Sequence, residues 1–425
     1  MKFIDFFAGI GGFRRGMELA GHECVGFCEF DKFAAASYIS MHLLTEEQRK
    51  TLEDIPIKKR QKEILKEEYR NGEWYANDIR RVYAEDIPKA DCWCFGFPCQ
   101  DISVAGKQVG FQGNRSSLFF RVMYLVGQLK EEDKPTYLFI ENVKNLLSVN
   151  GGWDFARLLI EMEQQGYDAE WQVLNSKDFG VPQNRERCFI IGHLRGRSTA
   201  KVFPVEGTDG ENSVQIVGHK DGYRRNTQVF APEALDTGQG GERGHHVTLP
   251  CFIDLCYEGS QMTEQARCLK ARYYKGMANH AGQDSGIAIP VLTPDRAEKR
   301  QNGRRFKDDG EPMFTLTGQD RHGIAIEVKE ATAKTLDTSC NQGIFVQVSD
   351  ELIVYAVWYE KLQCYIAIRK LTPKECFRLQ GWADDYFEKA AFVNSDSQLY
   401  KQAGNGVTVN VIFDIAKKLK EGVKD

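Results

Sequence analysis

The chain has 425 residues, 42% of them apolar and 27% charged, with a formal net charge of −4. That length predicts two domains with enough buried surface for a stable catalytic module. It carries no overall basic coat, no run of about 18 apolar residues that would span a membrane, and no signal-peptide pattern, since Asp5 interrupts the first apolar run. Its twelve cysteines include no Cys-x2-Cys pair and no His pair at ligand spacing, so neither a metal site nor a disulfide framework is expected. The pattern predicts a soluble, cytoplasmic chain whose thiols mostly pack.

In chain order, FIDFF (Phe3 to Phe7), ECVGFCEF (Glu23 to Phe30), ADCWCF (Ala90 to Phe95), TYLFIEN (Thr136 to Asn142) and RCFIIGHL (Arg187 to Leu194) are apolar runs of strand length. Amphipathic stretches lie between them at Phe13 to Ala20, Ser116 to Lys130 and Trp153 to Gln165. Strands alternating with helical patterns predict βαβ units and a parallel sheet. Thr45 to Arg70 is charge-dense with helical spacing at Leu52, Ile64 and Leu65, and reads as a surface insertion. After Arg195 glycine and turn signals become frequent and the apolar runs shorten, which predicts a domain of short strands and loops. A weak echo runs through it: GQDSGIAI (Gly282 to Ile289), GQDRHGIAI (Gly318 to Ile326) and NQGIFV (Asn341 to Val346). Helical patterning resumes after Arg369, with Thr372 as N-cap and Pro373 in the first turn.

The loop DFFAGIGGF follows a strand and opens a helix, where α/β sheets bind cofactors. It is not the dinucleotide fingerprint, because Arg14 stands where the third glycine belongs, and this disfavours an NAD-dependent oxidoreductase. Glu29, at the end of the next strand, is placed to accept the hydroxyls of a ribose, and Phe30 offers a face for adenine. Cys99 follows the Gly96-Phe97-Pro98 break, and Glu141 ends another buried strand. A thiolate and a carboxylic acid at one sheet edge suit attack on an electron-poor ring, the acid serving the ring nitrogen that takes up charge. Arg185 and Arg187 alternate along an extended segment and are suited to a base carbonyl and a phosphate. From Arg267 to Lys307, ten Lys or Arg face three acids, a basic stretch in a nearly neutral chain.

These residues fall in a recognisable order: DFFAGIGGF, Glu29, NDI (Asn77 to Ile79), GFPCQ (Gly96 to Gln100), GNRSSLFF (Gly113 to Phe120), ENV (Glu141 to Val143), QNRER (Gln183 to Arg187), RKLTPKECFRLQGW (Arg369 to Trp382) and AGNGVTVN (Ala403 to Asn410). The ordered set resembles the DNA (cytosine-5)-methyltransferases of bacterial and phage restriction-modification systems. The resemblance covers roughly Met1 to Leu194 and Arg369 to Asp425. It implies a Rossmann-like S-adenosylmethionine-dependent methyltransferase sheet with helices on both faces, formed by residues 1–195 and completed by 369–425. A smaller, irregular β-rich target-recognition domain is implied at 196–368.

Carried over position by position, the resemblance implies that Phe7, Gly9, Gly11 and Gly12 line the cofactor loop and Glu29 holds the ribose. Phe30 packs on adenine, where many relatives have Trp, and Asp78 with Ile79 meets the adenine edge. Pro98 lies near the methionine end, and Asn405 with Gly406 closes the site. Cys99 is the nucleophile, Glu141 the acid at the base, Arg187 a contact to the base and Arg185 to the phosphate or to Glu141. Gln100 and Ser103 are placed on the flipped nucleotide's backbone; within the variable segment, the glycine-rich loop TGQGGERGHH offers Gln239 as one candidate for the hole it leaves, and the basic stretch offers Arg304 and Arg305 for DNA phosphates. The implied partner is double-stranded DNA, bound by a monomer in a bacterial cell or phage-infected host, with no membrane. A cognate restriction endonuclease would be a functional, not a physical, partner. The donor is S-adenosylmethionine, S-adenosylhomocysteine is the product, and no metal is required. A tRNA cytosine-5 methyltransferase shares this frame but is disfavoured by the long segment between the two matching parts. A non-catalytic DNA-binding paralogue is disfavoured by the retained thiol and cofactor loop.

Overall fold

The computed structural model describes residues 1–98, 118–207 and 372–422, together with residue 268 and the backbone of the strands found between 252 and 370. In chain order the elements begin with β1 (Lys2–Phe6), α1 (Gly12–Leu19), β2 (Glu23–Cys28), α2 (Lys32–His42), α3 (Glu46–Glu53), α4 (Ile57–Glu63), β3 (Trp74–Ala76) and β4 (Cys92–Gly96). There follow α5 (Leu118–Gln128), β5 (Tyr137–Val143), α6 (Trp153–Gln164), β6 (Tyr167–Asn175), β7 (Gln183–Asn184) and β8 (Glu186–Leu194). The segment beyond contributes β9 (Phe252–Leu255), β10 (Gln261–Thr263), β11 (Ala266–Arg267), β12 (Asp284–Leu292), β13 (His322–Ile324), β14 (Gly343–Ser349), β15 (Leu352–Tyr359) and β16 (Cys364–Lys370). The helices α7 (Pro373–Arg378), α8 (Asp384–Ala391), α9 (Asp396–Asn405) and α10 (Val409–Gly422) follow.

Contacts divide the chain into two compact units, one of Met1–Val181, Arg185–Asp209 and Gln380–Asp425, the other of Pro182–Asn184 and Gly210–Leu379. The first is built on a seven-stranded sheet ordered β3-β2-β1-β4-β5-β8-β6. Alternate residues of each central strand serve opposite faces. Phe3, Cys92, Cys94, Tyr137, Phe139, Phe189 and Ile191 join Phe13 and Met17 of α1 and Val411, Ile412, Ile415 and Leu419 of α10 in one core cluster. Ile4, Phe6, Trp93, Phe95, Leu138, Ile140 and Ile190 join Val122 and Met123 of α5 and Leu158 and Met162 of α6 in the other. Burial on both faces explains why these strands read as continuous apolar runs. This is the α/β architecture expected, with helices on both faces.

The parallel expectation needs one correction. Strands β3, β2, β1, β4 and β5 are parallel to their neighbours, but β8 runs antiparallel to both β5 and β6. Asn175 of β6 pairs with Glu186 of β8, and the ten residues between them are too few for a crossover, so the chain returns as a hairpin.

The second unit holds a seven-stranded sheet ordered β10-β9-β12-β13-β16-β15-β14, in which β12 also pairs with β16. Among the described residues the pairings within this sheet are antiparallel apart from β13 with β16, and β11 pairs in parallel with β7 outside it. Each copy of the GIAI-type echo supplies a strand, β12, β13 and β14 in turn. The unit includes α7, which starts as its sequence predicts. Thr372 accepts from the Glu375 N–H, Glu375 accepts from the Thr372 N–H, and Pro373 opens the first turn.

Candidate active site

Ligand sites of open α/β sheets form where strand ends meet, and here β1, β2, β3, β4 and β5 all end on one edge. The loop after β1 turns sharply: Phe7, Gly9 and Gly11 have φ of 55°, 57° and 84°. A left-handed phenylalanine is strained, and the two glycines make the rest of the turn possible. A Cβ built at Gly9 meets nothing within 4 Å, so space lies open before that backbone. At Gly12 a Cβ would stand 2.6 Å from Val407 Cγ2, so the loop's end needs glycine to pack against the segment before α10. Arg14 occupies the third-glycine position because it is structural. Its buried guanidinium donates to Glu73 at 2.7 and 2.9 Å and to Glu18 at 2.8 Å, and its N–H donates to Asp5.

Glu29, just past β2, braces this loop. The Gly9 N–H donates to its Oε2 at 2.8 Å and the Asp31 N–H to its Oε1 at 2.6 Å. Burial pushes its carboxyl up to about 7, against the lowering effect of those two N–H groups. Asp31 caps α2 through the Phe33 N–H and pairs with Lys401 of α9. Phe30 beside it is 72% exposed, and the Arg80 guanidinium stands 5.5 Å from its ring centre. Asp78 is forked by Arg80, with Nε and Nη2 each at 2.8 Å, and this hydrogen bonding holds its carboxyl below the usual range. Ile79 is buried in the core that contains α5 and α6.

At the neighbouring strand ends, Gly96 of β4 is in register with Glu141 of β5. A Cβ at Gly96 would lie 3.0 Å from Glu141 Oε2, so glycine lets the carboxylate approach the turn that leads to Pro98. The Asn142 amide donates to the Phe97 carbonyl at 3.0 Å and fixes that turn. Arg187 Nε meets Glu141 Oε1 at 3.1 Å. Arg185 is buried: its Nη2 donates to the Gly406 carbonyl at 2.7 Å and its Nη1 to the Gly404 carbonyl at 3.5 Å. Asn405 ends α9 and Gly406 follows it. Cys99, Gln100, Ser103, Gln239, Arg304 and Arg305 lie outside the described residues.

A family model described as C-5 cytosine-specific DNA methylase matches residues 1–421. The chain belongs to that family. Among this methylase's relatives, orphan methyltransferase M.SPRI of Bacillus phage SPR is 28% identical over 490 residues, covering 99% of this chain and 97% of its own. Type II methyltransferase M.HhaI of Haemophilus parahaemolyticus is 28% identical over 419 residues, covering 98% and 93%. The fold is shared with S. pombe Dnmt2 methyltransferase (TM-score 0.52, 14% identity, 99% and 98% covered) and with Entamoeba histolytica methyltransferase EhMeth (TM-score 0.51, 16% identity, 100% and 99% covered).

Sequence reasoning missed the buried polar residues that hold the methylase's site together. Gln380 donates to the Ala403 carbonyl at 2.7 Å and accepts from Thr408 at 2.9 Å, and Thr408 meets Ser176 at 2.8 Å. With Arg185 they lock the turn at Gly404 to Gly406. Asn142, Gln380 and Thr408 stand inside the motif blocks, which was the available signal, but their partners are distant in sequence.

Proposed function

We propose that the chain is an S-adenosylmethionine-dependent DNA (cytosine-5)-methyltransferase acting on a cytosine flipped out of duplex DNA. The reading is carried by one observation: Glu141, in register with Gly96 and paired to Arg187, stands at the strand edge that also holds the Gly9–Glu29 brace. The residues suit the donor, with open space at Gly9, a buried carboxylate to accept ribose hydroxyls and an uncovered ring at Phe30. Phe7, Gly9, Gly11, Gly12, Glu29, Phe30, Asp78, Ile79, Pro98, Asn405 and Gly406 are assigned to it.

A stacked cytosine is out of reach, so the base leaves the duplex at a cost of a few kcal/mol, offset by protein contacts. Cys99, three positions beyond Gly96, adds as thiolate to C6, and the electrons of the C5–C6 double bond move toward C5. Glu141 supplies a proton to N3, where charge would otherwise gather, while Arg187 orients Glu141 and the base carbonyl. Bound S-adenosylmethionine supplies an electrophilic methyl group on a sulfonium, which C5 accepts, leaving S-adenosylhomocysteine. Loss of the C5 proton to water and expulsion of the Cys99 thiolate restore the double bond, the N3 proton returns to Glu141, and the product is 5-methylcytosine. Residues 196–368 read the target, with Gln239, Arg304 and Arg305 on DNA and Gln100 and Ser103 on the flipped nucleotide. The relatives named above support a bacterial or phage setting, with or without a cognate endonuclease.

The test is incubation of duplex DNA and of tRNA with methyl-labelled S-adenosylmethionine, using the wild type and Cys99→Ser. Label should enter DNA alone, and the variant should bind the donor without transferring it. Turnover by Cys99→Ser sinks the nucleophile assignment, and label in tRNA alone moves the enzyme to the RNA-modifying class.

A further inference from the structure

We infer that His42 is a positioning residue for the cofactor loop, holding the Ile10–Gly11 peptide from beneath through an Nε2–H hydrogen bond. The inference rests on the reading of Phe7 to Gly12 as the donor-binding loop.

His42 ends α2, and its Nε2 lies 3.0 Å from the Ile10 carbonyl. A carbonyl only accepts, so Nε2 carries the proton and the tautomer is fixed. The ring sits so close that a Cβ at Gly11 would fall 2.4 Å from Nε2. Gly11 is therefore required twice, by its φ of 84° and by the imidazole under it. Three rings pack around the imidazole, Tyr38 at 4.9 Å, Tyr386 at 5.6 Å and Trp382 at 6.0 Å between centres. The loop after β1 is thereby tied, through one side chain, to α8 and the segment before it. A loop with three left-handed residues in five has backbone conformers to lose on binding, and a fixed Ile10 carbonyl removes part of that cost beforehand.

The surroundings keep the ring neutral. The charged groups acting on the ring are Arg14 and Arg15 of α1 and Lys389 of α8, all cationic; the phenols are Tyr38 of α2 and Tyr386 of α8, and Arg15 lies 4.7 Å from the Tyr386 ring centre. Asp385 and Glu18 act on Tyr386. Burial first, then Arg14, hold His42 well below the usual histidine range. It stays neutral at pH 7, and acid forces a charge into a cationic, desolvated place.

The experiment measures S-adenosylmethionine binding and steady-state methylation of duplex DNA by the wild type, His42→Leu and His42→Gln. Gln retains an N–H near the position of Nε2; Leu does not. His42→Leu should raise the donor's Kd and KM about tenfold, the worth of one buried hydrogen bond, with kcat at saturating donor within about twofold. His42→Gln should recover most of that affinity. The affinities of wild type and His42→Gln should run parallel from about pH 8 to about pH 6, because burial and Arg14 keep the imidazole neutral there and Glu29 titrates in both proteins. Equal donor affinity for all three overturns the inference. If His42→Leu does not fold, His42→Phe, which fills the space of the ring without an N–H, takes its place and should show the same loss. Failure of the wild type to bind the donor instead overturns the proposed function.

Discussion

Glu29 shows how much a single carboxylate carries at this edge. An ordinary glutamate titrates near 4.5, and burial lifts this one to about 7 in the folded protein. The native state therefore keeps a proton that the unfolded chain has lost between those values. The resulting stability is full below about 4.5 and is lost as pH rises through about 7. Relative to Glu29→Gln, the wild type should lose up to about 3 kcal/mol of unfolding free energy between the two ends of that window. Urea titrations at about pH 5 and about pH 8 check this, and parallel behaviour of the two proteins contradicts it. The positions of Glu29, Gly96 and Glu141 were legible in the sequence because each sits at, or within two residues of, a strand end, where short-range rules apply. Ser176, Thr408 and Gln380 were not. An amide or hydroxyl in a buried chain of hydrogen bonds is recognised only by partners brought from as far as 232 positions away.

At the scale of elements, the charge-dense segment after α2 proves to be more than a solvated insertion. Leu52 and Ile64 are fully buried, in the helical spacing that marked them. Arg60 of α4 donates to the carbonyls of Leu52, Glu53 and Phe392 and lies 3.8 Å from the Phe392 ring centre. Gln61 donates to the Val393 carbonyl and to Asn394, which in turn donates to Phe33 of α2. The insertion is thus a clasp holding the connection between α8 and α9 against α2. Arg60→Ala should cost about 2 kcal/mol, summing lost hydrogen bonds and the cation–π contact, measured as a shift in the urea midpoint. Charge density alone did not reveal this, because an arginine that snorkels to a distant carbonyl reads like one that faces water. The direction of β8 was hidden for a different reason. An apolar run gives the same signal whichever way the strand points, and only the short Asn175–Glu186 return excludes a crossover.

For the whole molecule, the class was readable from alternation of strand and helix up to Leu194 and from the glycine-rich texture beyond it. The return of the C-terminal residues to this domain came from the resemblance alone, since no periodicity says where a late helix docks. It docks on the first one: a Cβ at Gly16 would lie 2.6 Å from Ile412. A chain stopped before Gln380 leaves Phe13, Met17, Phe139 and Phe189 without Ile412, Ile415 and Leu419. It should fail to show the protease resistance of the intact protein and should not bind S-adenosylmethionine; a resistant, donor-binding truncation contradicts the packing argument. The contact of Gly12 with Val407 carries this into the cell. On the ribosome the loop made first waits for a residue made nearly four hundred positions later, roughly twenty seconds to over a minute at ordinary elongation rates. A nascent chain can therefore carry the early motif blocks and still lack the wall that completes them until translation has passed Val407.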